Sequence, residues 1–166
     1  MVKPTVIQSS CIEHHTIVKS VTYNDKISIL RVIGTGVGEK PGIIGEIGKS
    51  LSEEGINIIS IITSQTCINL IIDKHDSEKA YEISKKKRNG IIKSIKVEKN
   101  FALIGLVGAG LKSTKGIFAK VFFSAAKAGV NIEMVSGGAS DVAYYIIVRK
   151  KYLKDAIKAI HSEFFN

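Results

Sequence analysis

The feature that most constrains the fold is an internal repeat. Shifting the chain by 74 residues brings Gly34 and Gly36 onto Gly108 and Gly110, and Gly42-Ile43 onto Gly116-Ile117. The same shift brings Gly55-Ile56-Asn57-Ile58 onto Gly129-Val130-Asn131-Ile132. Leu70 and Ile72 fall on Tyr144 and Ile146, and Val18-Lys19-Ser20-Val21 falls on Ile92-Lys93-Ser94-Ile95, all without a gap. A period of this length is too long for a short-repeat solenoid and marks one supersecondary unit used twice.

Each unit reads strand, helix, strand, strand, helix. Ile makes up 28 of the 166 residues, which favours strands packed under helices. In the first copy, residues 27–33 form an apolar strand that ends at Gly34. Pro41 is expected as the first helical residue, where its missing N–H costs nothing. Ile43, Ile44, Ile47 and Leu51 then share one helical face, and Gly55 ends the helix as a left-handed cap. Gly45 and Gly48 weaken helix propensity and are read as points of close approach. Strands 56–62 and 67–72 are joined by a polar turn, 63–66, and a second helix turns Ala80 and Ile83 inward. The second copy repeats this as 101–107, 116–128, 130–135, 142–148 and 152–164. The fold class is α+β, a ferredoxin-like βαββαβ unit in tandem.

Each unit still needs a fourth strand. Residues 91–97 supply one to the first copy. Its equivalent in the second would begin at residue 165 of 166, yet a strand of the same type, 16–23, stands at the front. Either each front strand joins the unit that follows it, or 16–23 crosses over to complete the second unit while 91–97 completes the first. The crossover is expected, because it gives both units the same four-stranded sheet and joins two small cores into one body. The expected division is a tail at 1–15, a first unit at 24–99, and a second unit made of 16–23 plus 100–166.

A formal charge of +9 permits polyanion binding, but the basic residues read as a solvated surface. The densest run, Lys85-Lys86-Lys87-Arg88, ends a helix, where cations suit the dipole. Aromatic residues do not interleave with the basic ones as a stacking platform requires, so no nucleic-acid partner is expected. No apolar run reaches the roughly 18 residues of a membrane span and no signal-peptide pattern opens the chain. A cytoplasmic protein with no membrane partner is the default expectation. Cys11 and Cys67 do not make a disulfide framework. Cys11 beside His14 and His15 is a weak metal set, so no metal or cofactor is expected, and Cys67 reads as a small core hydrophobe. His75 and His161 are isolated, and no Ser or Thr has spaced His and Asp partners, so no catalytic residues are assigned.

The loop Gly34-Thr35-Gly36-Val37-Gly38 lacks the spacing of a dinucleotide fingerprint and the ending of a phosphate loop. It nevertheless precedes a helix N-terminus, whose free N–H groups suit a small carboxylate. Glu39 in the same loop can meet an ammonium group. Asn57 and Asn131 stand at equivalent strand starts, either as turn side chains bonding their own backbone or as ligand or interface contacts. A carboxylate site beside an ammonium site describes a free amino acid.

Several blocks carry a family resemblance: Gly36-Val37-Gly38-Glu39-Lys40-Pro41-Gly42, Gly129-Val130-Asn131-Ile132-Glu133-Met134-Val135-Ser136, Gly138-Ala139-Ser140-Asp141-Val142, and the closing His161-Ser162-Glu163-Phe164-Phe165. Through them the chain resembles the tandem amino-acid-binding regulatory domains (ACT domains) at the C-terminus of aspartate kinases. The resemblance implies an allosteric module of amino-acid biosynthesis that binds lysine or threonine, forms a homodimer and serves an aspartate kinase catalytic domain or subunit. It implies that Glu39 holds the ammonium group and that Gly42 and Ile44 offer backbone contacts. Thr63 stands in the turn after the second strand, where some members place a Gln. Asn131 and Ile132 would close the cleft from the second unit, often of a partner chain, with Asn57 and Ile58 as the matching pair in the first. The chain departs from the pattern at Ile59, where many members have Asp; at Glu39, one methylene longer than the frequent Asp; and at Gly38, which replaces a frequent Pro. The kinase catalytic domain has no counterpart in the sequence. The alternative reading is a structural dimerisation module without an effector.

Overall fold

The computed structural model describes residues 17–87 and 90–165. Cys11, His14, His15, Thr16 and Arg88, together with the tail at 1–15, lie outside the described residues. Six strands form one antiparallel sheet: β1 (Ser20–Gly34), β2 (Ile58–Ser64), β3 (Cys67–Asp73), β4 (Ile92–Val107), β5 (Ile132–Ser136) and β6 (Ala143–Arg149). Their spatial order is β2-β3-β1-β4-β6-β5. The helices are α1 (Ile43–Glu53), α2 (Ser77–Lys85), α3 (Ile117–Lys127) and α4 (Leu153–Phe165). A turn of 3-10 helix, Lys74–Asp76 or Lys150–Tyr152, leads into α2 and α4.

The crossover is present, and it is tighter than two separate strands. The segments read as 16–23 and 27–33 merge into the single 15-residue β1, and 91–97 and 101–107 merge into the 16-residue β4. The polar triplets Asn24-Asp25-Lys26 and Glu98-Lys99-Asn100 look like turns in sequence. Here they are register irregularities within continuous strands, the local bend and twist that bulges produce. The first half of β1 pairs with the second half of β4 (Ser20 with Val107, Asn24 with Leu103), and the second half of β1 with the first half of β4 (Ile29 with Glu98, Ile33 with Ser94). Adding 74 to one partner and subtracting it from the other turns the first set of pairs into the second. Ile27 pairs with Phe101, its own repeat equivalent, so a pseudo-two-fold axis passes between them.

The ungapped superposition holds only through the second strand of each unit. Asp73 pairs with Ile27 and Arg149 with Phe101, so β6 follows β3 by 76 residues, not 74. The structural partners of Leu70 and Ile72 are Ile146 and Val148. The two extra residues lie in the β5–β6 connection, which spans 137–142, where β2 and β3 are joined by Gln65 and Thr66 alone.

Three apolar clusters follow from strand alternation. Leu30, Val32, Ile68, Leu70 and Ile72 face α1 and α2, meeting Ile43, Ile47, Leu51 and Ala80. Ile104, Leu106, Ile146 and Val148 face α3 and α4, meeting Ile117, Val121, Ala125, Ala156 and Ile160. Val18 is fully buried in this second cluster, so the crossing segment contributes core as well as edge. The third cluster lies on the helix-free face: Ile27, Ile29, Ile71, Phe101 and Ile147 are nearly inaccessible, with Ile62 and Met134 from the two edge strands packed on them. The edges β2 and β5 approach each other, so the sheet curls and encloses this face.

Several local expectations change. Pro41 lies in the turn before α1, not in it; the N-cap is Gly42 at φ 89°, a left-handed conformation that Gly adopts without strain. Ile44 is 38% exposed and does not join the buried face of Ile43, Ile47 and Leu51. Gly45 and Gly48 make no close approach within the chain: a Cβ at either would meet open space. Gly55 does take the left-handed conformation past the end of α1, at φ 75°. Among the described residues no helix is long and apolar enough to cross a membrane, and no group of three or more metal-ligating side chains forms.

Candidate functional site

The site is built where the loop after β1 meets the β2–β3 turn. Val37, 1% exposed, is driven into the first core and pins the loop's centre. Gly36 at φ 74° turns the chain, so that the N–H groups of Glu39 and Lys40 both donate to the Gly36 carbonyl at 3.1 and 3.0 Å. Gly38 lies so close to β2 that a Cβ would stand 2.0 Å from the Ser64 carbonyl oxygen. That excludes any side chain, and the Gly38 N–H donates to Gln65 O at 3.2 Å. The Gly34 N–H donates to Thr66 O at 3.0 Å. These bonds hold the loop against the turn.

Glu39 is exposed, and its Oε1 accepts a hydrogen bond from Gln65 Nε2 at 2.6 Å. The carboxylate is therefore positioned rather than free to swing. Three residues further on, Gly42 is the N-cap of α1, and no side chain caps the helix there. The Glu46 N–H donates to Gly42 O at 2.8 Å, closing the first turn, and the N–H groups ahead of it, which have no intrahelical partner, are donors suited to an anion. Exposed Ile44 sits on this first turn. The arrangement offers backbone donors for a carboxylate and a fixed carboxylate for an ammonium group. Gln65 was not identified from sequence. The signal was a Gln at the tip of a two-residue hairpin beside a glycine loop.

Thr63 lies in β2, paired with Ile68, and not in the turn. Asn57 and Ile58 stand at the other end of β2 from Glu39, roughly 20 Å away for a seven-residue strand; Asn57 is exposed and Ile58 packs on the first core. Asn131 is exposed and precedes β5, where half-buried Ile132 pairs with Val148. No hydrogen bond or ion pair joins Asn57, Asn131 or Ile132 to the Glu39 loop among the described residues. One chain thus brings Glu39, Gly42 and Ile44 together, and does not bond the asparagines to them.

The equivalent loop of the second unit has different chemistry. Leu111, buried like Val37, pins it, and Tyr144 donates its hydroxyl hydrogen to the Leu111 carbonyl at 3.0 Å. The position of Glu39 is taken by Ser113, which bonds back to Gly110 O at 3.1 Å. Across the mouth, Lys112 Nζ donates to Asp141 Oδ1 at 2.9 Å. That carboxylate holds the Lys112 pKa above its ordinary value, first through the hydrogen bond and then through its charge. Among the described residues, the second loop offers an ammonium group no unpaired carboxylate. Elsewhere, Cys67 is half-buried rather than fully in the core, and desolvation raises its thiol pKa. His75 and His161 are both exposed.

Comparison with known proteins bears on the family and the fold. A family described as ACT domain matches residues 30–87 and 104–164, one match per unit. A bifunctional aspartokinase/homoserine dehydrogenase of Haemophilus influenzae is 28% identical over 156 residues, covering 90% of this chain, and the chain spans only 19% of that protein's length. The ligand-free regulatory subunit of aspartate kinase from Thermus thermophilus superposes with a TM-score of 0.80 at 27% identity, covering 90% of this chain and 99% of that one. Aspartokinase III of E. coli, solved in complex with lysine and aspartate in its T-state, shares the fold with a TM-score of 0.73 at 20% identity, covering 91% of this chain and 34% of that one.

Proposed function

The chain belongs to the ACT-domain family, and from that premise we propose that it is the regulatory part of an aspartate kinase, binding free lysine or threonine for feedback control. The observation that carries this reading is the uncapped start of α1 beside the Gln65-braced Glu39. The backbone donors take the effector's carboxylate and Glu39 takes its ammonium group. The likeness to a regulatory subunit along nearly its whole length supports the same reading. The bound state is relayed to a kinase catalytic domain or subunit, which requires two global states that bind the effector differently.

The functional body is proposed to be a homodimer with residues 24–99 as the first unit and 16–23 plus 100–166 as the second. One observation favours this. The outer side of α1 carries Gly45 and Gly48 facing open space, whereas α3 carries the exposed rings of Phe122 and Phe123. A helix with hollows and a helix with bulky rings are complementary across two copies. Such a pairing gives Asn131 and Ile132 of one copy the means to close over the Glu39 loop of another.

Calorimetry with lysine, threonine, methionine and aspartate tests the reading. Lysine or threonine is expected to bind, and Glu39→Ala to weaken that binding by about tenfold or more, the value of a charge-assisted hydrogen bond. A dimer that binds none of the four would leave the purely structural dimerisation role in its place.

A further inference from the structure

Away from the loop site, an open cleft of about 730 Å³ runs between the first half of β1 and α4. Its floor is apolar, made by the ring of Tyr23, which is 60% exposed, with Leu153 and Ile157. Its rim is cationic. Lys151, Lys154 and Lys158 follow one another at spacings of three and four residues, the period that stacks side chains on one helix face. The carboxylate that lines the cleft, Asp25, is already engaged by Lys150 at 2.9 Å. Neither Lys154 nor Lys158 has an ion pair among the described residues.

The fold does not require these charges. In the first unit the corresponding cleft lies between β4 and α2 and is mixed in charge, lined by Glu78 and Glu98 with Lys96 and Lys99, beside Tyr81 and Val97. With the 76-residue offset that relates the later elements, Lys154 matches Glu78 and Lys158 matches Glu82, so these two helix positions carry the opposite charge in the first unit.

We propose that this cleft is a docking groove for an acidic, amphipathic segment of a partner protein, with an apolar side chain on Tyr23, Leu153 and Ile157 and carboxylates on Lys154 and Lys158. Charge complementarity names the occupant's sign, and the apolar floor names a polypeptide over a nucleic acid, which needs successive stacking rings. The chain's own first sixteen residues carry Glu13 against Lys3 and do not supply that charge. The proposal stands independently of the effector reading.

The test is fluorescence anisotropy of the full chain with a labelled peptide of about twelve residues, mostly glutamate with three leucines. Binding near about 10 μM is expected, weakening several-fold as salt rises. The double change Lys154→Glu, Lys158→Glu should weaken it by about tenfold or more and Tyr23→Ser by a few fold, with Glu78→Lys leaving it unchanged. The variants' melting temperatures should not fall, which separates lost docking from lost folding. Absence of peptide binding, binding indifferent to the double change, or an oligothymidylate of equal length that outcompetes the peptide would each overturn the proposal.

Discussion

Gly34 and Gly108 show how much of this fold rests on single residues. A Cβ at Gly34 would stand 1.9 Å from the carbonyl oxygen of Ile91, and at Gly108 1.9 Å from that of Ile17. Ile17 and Ile91 are themselves 74 residues apart, so the two contacts are one contact used twice. At each, the backbone of an incoming strand passes over the end of the strand it pairs with and excludes any side chain. Gly34→Ala and Gly108→Ala are each expected to destabilise the protein by roughly 1–3 kcal/mol, the usual cost of overpacking, and by similar amounts. Urea denaturation would check both. The repeat made these glycines visible in sequence, because both copies keep them. What they touch was not legible, since the contact joins residues far apart in the chain. Gln65 was missed for the same reason: its meaning depends on Glu39, across the loop.

The elements were legible where alternation or helical spacing was strong, as in 67–72 and in Ile43, Ile47 and Leu51. They were misread where a polar triplet interrupts a strand. Asn24-Asp25-Lys26 has the composition of a turn, yet it continues β1 because β4 pairs with β1 on both sides of the irregularity. The inner cluster of Ile27, Ile29, Phe101 and Ile147 was hidden too, because curling of the sheet buries a face that a flat sheet leaves open. One tether across these elements is titratable. Asp25 at the bend of β1 holds Lys150 ahead of α4, and its pKa is lowered chiefly by the hydrogen bond from that ammonium group. A depressed carboxylate pKa contributes stability above its unfolded value, and that contribution is lost as pH falls through the folded value. The melting-temperature difference between wild type and Asp25→Asn should therefore be present at neutral pH and vanish in acid. Thermal melts across that range would show it, and the effect should be small because the pair is more than a third exposed.

At the scale of the whole molecule, neither half is closed without the other. The second core includes Val18 from the chain's start, and the first sheet is completed by the opening half of β4. Removing residues 1–24 is expected to strip protection from 101–107 and the α3–α4 layer in hydrogen exchange, while the ladder between β1 and β3 keeps most of its own. Equal loss in both halves would contradict that asymmetry. The same topology has a consequence for synthesis. On the ribosome, residues 20–24 emerge early and have no partner until 103–107 follow. In that interval the nascent chain carries a bare strand edge, which another copy on the same message can capture. Slow translation between the two segments should therefore favour swapped assemblies over monomeric folding.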